Sequence, residues 1–196
     1  MNWDEYFMRM VYLVASKSKD PRTQVGAVVV NDDRQVLTTG YNGICRGVLD
    51  PADVNRNTFV RVGSCGFMPL FESDEDYQTI RRREESPEKY LWYEHAERNS
   101  IFQAARIGVS LMGATMYTQG IPCCDCGRGI IQAGIKKVVV HKLWPRNGLE
   151  GNKKQDVWTE SITVSRKMFA EAGIMIDILE TTLNVKGYID GDIVNV

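Results

Sequence analysis

The chain has 196 residues, within the range of one domain with a full hydrophobic core. Apolar residues make up 43% and charged residues 25%, and the net charge is -1 with a pI near 6.2. That balance lacks the basic surplus a long nucleic-acid partner calls for, and leaves small anionic ligands open. The acidic opening Met1-Asn2-Trp3-Asp4-Glu5 carries no apolar leader. No stretch approaches the ~18 apolar residues of a membrane span. Both features lead to the expectation of a cytoplasmic protein without a membrane partner. Of five cysteines, Cys123, Cys124 and Cys126 fall within four positions while Cys45 and Cys65 stand apart. An odd, clustered set in such a chain points to metal or thiol chemistry rather than a disulfide framework.

Residues 2–17 place Trp3, Phe7, Val11 and Val14 on one helical stripe, and Asp20-Pro21 ends the helix. Residues 24–30 form a nearly continuous apolar run, which predicts a strand buried on both faces. The turn signal Asn31-Asp32-Asp33 then leads into a second strand over 34–40, completing a hairpin. From Gly43 to about Lys89 the periodicity fails, and residues 44–89 read as an insertion: a functional loop, or a solvated segment with a short charged helix. Helices are predicted over 95–107, 123–133 and 157–172, and strands over 114–118, 136–140 and 174–178. Trp158, Ile162, Ser165 and Phe169 share one face of the late helix. The tail, 183–196, reads as an extra hairpin turning at Asp190-Gly191 or as an unstructured end. Helices alternating with strands after a hairpin predict one domain over 1–196: a three-layer α/β/α sandwich on a mixed five-stranded sheet.

Two motifs carry chemistry. Glu94-His95-Ala96-Glu97 opens one helix, and Pro122-Cys123-Cys124-Asp125-Cys126 opens another. Cys123 and Cys126 are three apart and share a helical face, while Cys124 is turned away from it. Pro122 suits a first helical position and Asp125 the first turn. Helix N-termini carry partial positive charge and lower the pKa of nearby thiols, favouring the metal-binding form. His95 and Glu97 are two apart, so both reach one site only if it lies just off the helix end. His95, Cys123 and Cys126 make three ligands, with no fourth nearby in sequence. That is the open, catalytic pattern for zinc rather than the closed structural one. Glu97 is then the group that takes a proton from water and returns it to the leaving amine. His-x-Glu followed downstream by Pro-Cys-x-x-Cys is the signature of zinc deaminases.

Around these motifs the chain resembles the deoxycytidylate (dCMP) deaminases of the cytidine deaminase superfamily. The resemblance runs through residues 18–27, Gly40-Tyr41-Asn42-Gly43, 113–117, 131–137 and Glu171-Ala172-Gly173-Ile174. It covers roughly 5–43 and 90–178. It implies hydrolysis of dCMP, or a 5-substituted dCMP, to dUMP and ammonia with one Zn2+ per chain. It makes Asn42 a substrate contact; Asn-Gly is equally a turn signal. Trp144 stands where the family often has a phosphate-binding tyrosine, and Arg106, Lys142 and Arg146 are basic candidates for that task. The resemblance further implies dCTP and dTTP as effectors, Mg2+ accompanying such a triphosphate, and a homo-oligomer, a hexamer. No second, structural zinc is expected. A cytidine or cytosine deaminase and a tRNA adenosine deaminase share the metal motifs, and a zinc-stabilised binding module without turnover is the reading of another class. Phe102, on the helix that carries Glu97, reads as core packing ahead of a stacking surface for a nucleotide, and Trp92 and Tyr93 as pocket lining or a hydrophobic staple.

Overall fold

The computed structural model describes residues 1–54, 59–61, 67–144 and 158–196. In chain order the elements are α1 (Trp3–Ala15), β1 (Gly26–Val30), β2 (Val36–Tyr41), β3 (Gly43–Ile44), β4 (Phe59–Arg61), β5 (Phe67–Pro69), α2 (Asp74–Arg81), a 3-10 turn (Arg82–Glu84) and α3 (Lys89–Trp92). They continue with β6 (Tyr93–Glu94), α4 (Ala96–Ile107), β7 (Thr115–Thr118), α5 (Cys124–Gln132), β8 (Lys137–His141), α6 (Trp158–Ala172), β9 (Met175–Leu179), β10 (Lys186–Ile189) and β11 (Asp192–Asn195). The chain divides into two compact units, 1–42 with 95–196, and 43–94.

The larger unit is built on a five-stranded sheet in the order β2-β1-β7-β8-β9. β1 pairs antiparallel with β2 (Ala27 opposite Gly40) and with β7 (Ala27 opposite Thr118). β7–β8 and β8–β9 are parallel, with Thr115 beside Lys137 and Lys137 beside Met175. The sheet is therefore mixed. Side chains alternate across it, as a strand's period of two requires. Val28, Val30, Tyr117 and Val139 pack with Phe7, Met8, Val11 and Tyr12 of α1. Val29, Met116, Val138 and Val140 pack on the other face with Ala104, Ile130, Ile162 and Phe169 of α4, α5 and α6. Covering both faces is why β1 is apolar and buried throughout. Each large side chain so buried contributes roughly 1.5–3 kcal/mol. This is the three-layer α/β/α arrangement.

Three local readings need correction. The buried face of α1 is Phe7, Met8, Val11, Tyr12 and Ala15; Trp3 lies off it and is 48% exposed. Phe102 is 55% exposed, because the inward side of α4 is set by Ala96, Glu97, Ser100 and Ala104 and residue 102 falls opposite them. Pro122 precedes the N-cap Cys123 rather than occupying the first helical position. The tail forms the β10–β11 hairpin turning at Asp190-Gly191. Its Ile189, with Leu183 and Val196 beside it, joins the α1 core.

Between 43 and 94 the described residues carry the short β3–β6 and β4–β5 pairs and the helices α2 and α3. Ser73 and Asp76 form a capping box at α2. The arginine run is not simply solvated. Arg81 donates to Pro51 O (2.8 Å), Arg83 donates to Leu49 O (3.1 Å), and the Arg83 guanidinium lies 3.8 Å from the Trp92 ring centroid. A guanidinium's five donors let it satisfy loop carbonyls that have no strand partner. Trp92 thus packs under Arg83, and Tyr93 pairs with Ile44 across β3–β6.

Candidate metal centre

The site is assembled from two helix N-termini in the larger unit. His95 is the N-cap of α4, with extended backbone (φ -79, ψ 154), and Cys123 is the N-cap of α5 (φ -67, ψ 171). α4 is seated closely on β2. A Cβ at Gly40 would collide with Ala96 O and Ser100 N, Thr38 Oγ1 donates to Ser100 O (3.0 Å), and Asn99 Nδ2 donates to Tyr41 O (2.8 Å). α5 follows β7 across the short loop that contains Pro122.

His95 Nδ1 lies 3.5 Å from Cys123 Sγ and 3.4 Å from Cys126 Sγ, and the three ligand atoms lie within 4.8 Å of one another. A tetrahedral zinc with bonds of ~2.3 Å to sulfur and ~2.0–2.1 Å to nitrogen separates N from S by about 3.5 Å. The His-to-Cys spacings fit that ion. Glu97, the second residue of α4, is 6% exposed, and its Oε2 is 3.6 Å from Cys126 Sγ. His95 and Glu97 meet at one place because His95 sits at the cap, off the helical spiral. The Cys124 thiol is not among the three clustered ligand atoms.

The four groups divide their protons unequally, with Cys123 as the favoured anion. Hydrogen bonding to Cys126, with help from His95, pulls the Cys123 thiol down to about 4 against the cost of burial. The same bond, then burial, holds Cys126 well above its ordinary range. Burial disfavours a charged His95, but hydrogen bonding to Cys123 and the charge of Glu97 outweigh it and raise the ring's pKa. Burial raises Glu97, with His95 opposing. A thiolate and a buried carboxyl around one imidazole can hold a divalent cation and exchange protons beside it.

Other residues from the sequence fall elsewhere. Asn42 is 8% exposed and committed to its own loop. Its Nδ2 donates to Asp20 Oδ2 and Thr23 O (both 2.9 Å), and its Oδ1 accepts from Val25 N (2.8 Å). Trp144 is buried in the α1-side core. Arg106 lies in the last turn of α4, roughly 16 Å along the axis from His95 at 1.5 Å per residue. Lys142 pairs with Glu180 (2.9 Å). Arg146 and Cys65 lie outside the described residues. His141 is hydrogen-bonded to Tyr12 and to Thr181 O, in the α1-side layer. Sequence reasoning missed two contacts from α6. The Trp158 ring is 5.4 Å from the His95 ring, and Ser161 Oγ accepts from Cys124 N (2.9 Å). Their i, i+3 spacing was legible; their targets, sixty-three and thirty-seven residues back in the chain, were not.

Residues 1–142 match the family model of the cytidine and deoxycytidylate deaminase zinc-binding region. The probable deoxycytidylate deaminase of Drosophila melanogaster is 37% identical over 139 residues, 71% of this chain and 59% of the fly protein. The deoxycytidylate deaminase of Mus musculus is 32% identical over 176 residues, 89% of this chain and 78% of the mouse protein. In fold, the chain is similar to the crystal structure of dCMP deaminase from the cyanophage S-TIM5 in complex with dCMP and dUMP. That match has a TM-score of 0.53 at 22% identity and covers 90% of this chain and 96% of the phage protein.

Proposed function

The chain belongs to the cytidine and deoxycytidylate deaminase zinc-binding family, and from that premise we infer that it hydrolyses dCMP, or a 5-substituted dCMP, to dUMP and ammonia. The observation that carries this is the convergence of His95 Nδ1, Cys123 Sγ and Cys126 Sγ at zinc-fitting distances beside the buried Glu97 carboxyl. His95, Cys123 and Cys126 hold one zinc, which when bound supplies Lewis-acid chemistry that makes water nucleophilic near neutral pH. Glu97 does the proton work. Its carboxylate accepts a proton from the attacking water as the C4–O bond forms and delivers it to the ring nitrogen N3; it then takes the remaining proton from the C4 hydroxyl and delivers it to the amino group as the C4–N bond breaks, leaving the 4-oxo base and ammonia. Burial helps it keep the proton between those steps. On this reading residues 1–196 act as one deaminase domain, with 44–89 inserted and 183–196 appended.

Asn42 orders the substrate loop through Asp20, Thr23 and Val25, and its second Oδ1 lone pair is the one left for a sugar or base. The named activities of the fly and mouse relatives, and the nucleotides in the phage complex, support a nucleotide substrate. A panel of dCMP, dCTP, deoxycytidine, cytidine, cytosine and tRNA tests it. We expect dCMP to have the highest kcat/KM, and equal values for dCMP and deoxycytidine would move the assignment to a nucleoside enzyme. The same proposal takes the protein as a cytoplasmic homo-oligomer, a hexamer, regulated by dCTP and dTTP with Mg2+ on the triphosphate. Rate curves against dCMP should shift with each triphosphate; superimposable hyperbolic curves would remove regulation from the account.

A further inference from the structure

α6 presents Trp158, Ser161 and Ser165 along one side, at i, i+3 and i+7. Trp158 packs its indole on the His95 imidazole, with centroids 5.4 Å apart and planes at 59°. One turn on, Ser161 Oγ accepts the backbone N–H of Cys124, which lies between the two clustered thiols. That N–H is among the first-turn donors that an α-helix cannot satisfy internally, and the N-cap Cys123 does not cap the helix with its own side chain. A further turn on, Ser165 lies against Gly127, where an added Cβ would stand 2.7 Å from Ser165 Oγ. A small residue on each helix lets α5 and α6 approach closely. One helix therefore touches both halves of the ligand set, the ring from α4 and the Cys123–Cys126 turn from α5.

We propose that α6 sets the geometry of the metal centre, with Trp158 and Ser161 as positioning residues for His95 and for the Cys123–Cys126 turn. The proposal rests on the zinc reading of the site. Trp158 restricts rotation of the imidazole, so that Nδ1 stays toward the thiols. Ser161 fixes the first turn of α5, so that both sulfurs stay on one side. Outer contacts of this kind typically set metal affinity by about 10–100-fold.

The test uses the full chain, stripped of metal and titrated with Co2+, whose thiolate charge-transfer and d–d absorption reports ligand geometry, followed by zinc competition against a chromophoric chelator. Ser161→Ala and Trp158→Ala should each weaken zinc binding by about tenfold or more and alter the cobalt spectrum. Ser161→Thr and Trp158→Phe, which keep the hydroxyl and the ring, should restore both. Ile162→Val is the control for general loosening, since Ile162 is buried on α6 in the core; it should lower the melting temperature and leave affinity and spectrum unchanged. Wild-type affinity and spectrum in both alanine variants would overturn the positioning role. So would an equal loss of affinity in Ile162→Val. Failure of the wild-type chain to take up cobalt, or uptake unchanged by Cys126→Ser, would instead refute the underlying zinc assignment and the proposal with it.

Discussion

At the residue scale the proposed chemistry turns on Glu97. It is buried beside two thiols and an imidazole, and burial raises its pKa. A structural carboxyl in that place would matter to stability; a proton carrier matters to turnover. Glu97→Gln keeps size and hydrogen bonding while removing the titratable group. We predict zinc content and melting temperature near wild type and a fall in turnover of at least about 10²–10⁴-fold. Zinc analysis, thermal melting and a dCMP assay on one preparation check it; near-normal turnover contradicts it. His95, Glu97, Cys123 and Cys126 were legible in the sequence because each motif is local and the residue types are restricted by what a zinc ion and a proton transfer require. Asn42 was legible only as a turn or a contact. Its three side-chain bonds reach residues 17 to 22 positions back, and no local pattern announces partners of that kind. Trp158 was legible only as part of one face of the late helix, for the same reason. Its periodicity gives the side of α6 it occupies but not which neighbour it meets.

Among elements, those of the five-stranded sheet and its helices were readable, as were the tail hairpin as one of two readings and the short charged helix α2 in outline, while the short pairs β3–β6 and β4–β5 were not. The five sheet strands and the helices α1, α4, α5 and α6 follow their apolar periods to within about two residues at each end, a normal margin for assigned boundaries. Between 43 and 94, two short strand pairs and a capped helix are joined by arginine-to-carbonyl bonds and a cation–π contact, which leave no periodic trace. The contact between α1 and β8 carries a pH prediction. His141 Nε2 donates to Thr181 O (2.9 Å), and in the neutral ring that burial favours, Nδ1 accepts from the Tyr12 hydroxyl (2.8 Å). Burial lowers its pKa, with the Thr181 bond opposing. Below the ordinary histidine value of about 6.5, the unfolded chain binds a proton that the folded chain refuses. Stability is therefore fully present above that pH and falls as pH drops toward the depressed folded value, by about 1.4 kcal/mol per unit of depression. Denaturant melts between pH 7.5 and 5.5 should show this loss, and His141→Gln should show a shallower one. Parallel slopes for the two proteins would contradict the assignment.

At the scale of the whole molecule, family membership, fold and site agree, each from a different observation. Residues 1–142 carry the family match, the mixed sheet carries the fold, and the ends of α4 and α5 bring His95, Cys123 and Cys126 together. No helix among the described residues is long and apolar enough to cross a membrane. The chain spans 59% of the fly relative's length and 78% of the mouse relative's, so what the full-length relatives do with their remaining residues is a separate question from what this site does. The site's claim is specific: one zinc held by His95, Cys123 and Cys126, and dCMP as the nucleotide hydrolysed. Returning zinc stepwise to metal-stripped protein while following dUMP formation from dCMP tests it most directly. We predict no turnover without metal, a linear rise, and saturation at one zinc per chain. Full activity in the stripped protein, or zinc binding at one per chain with no dUMP formed, would contradict it.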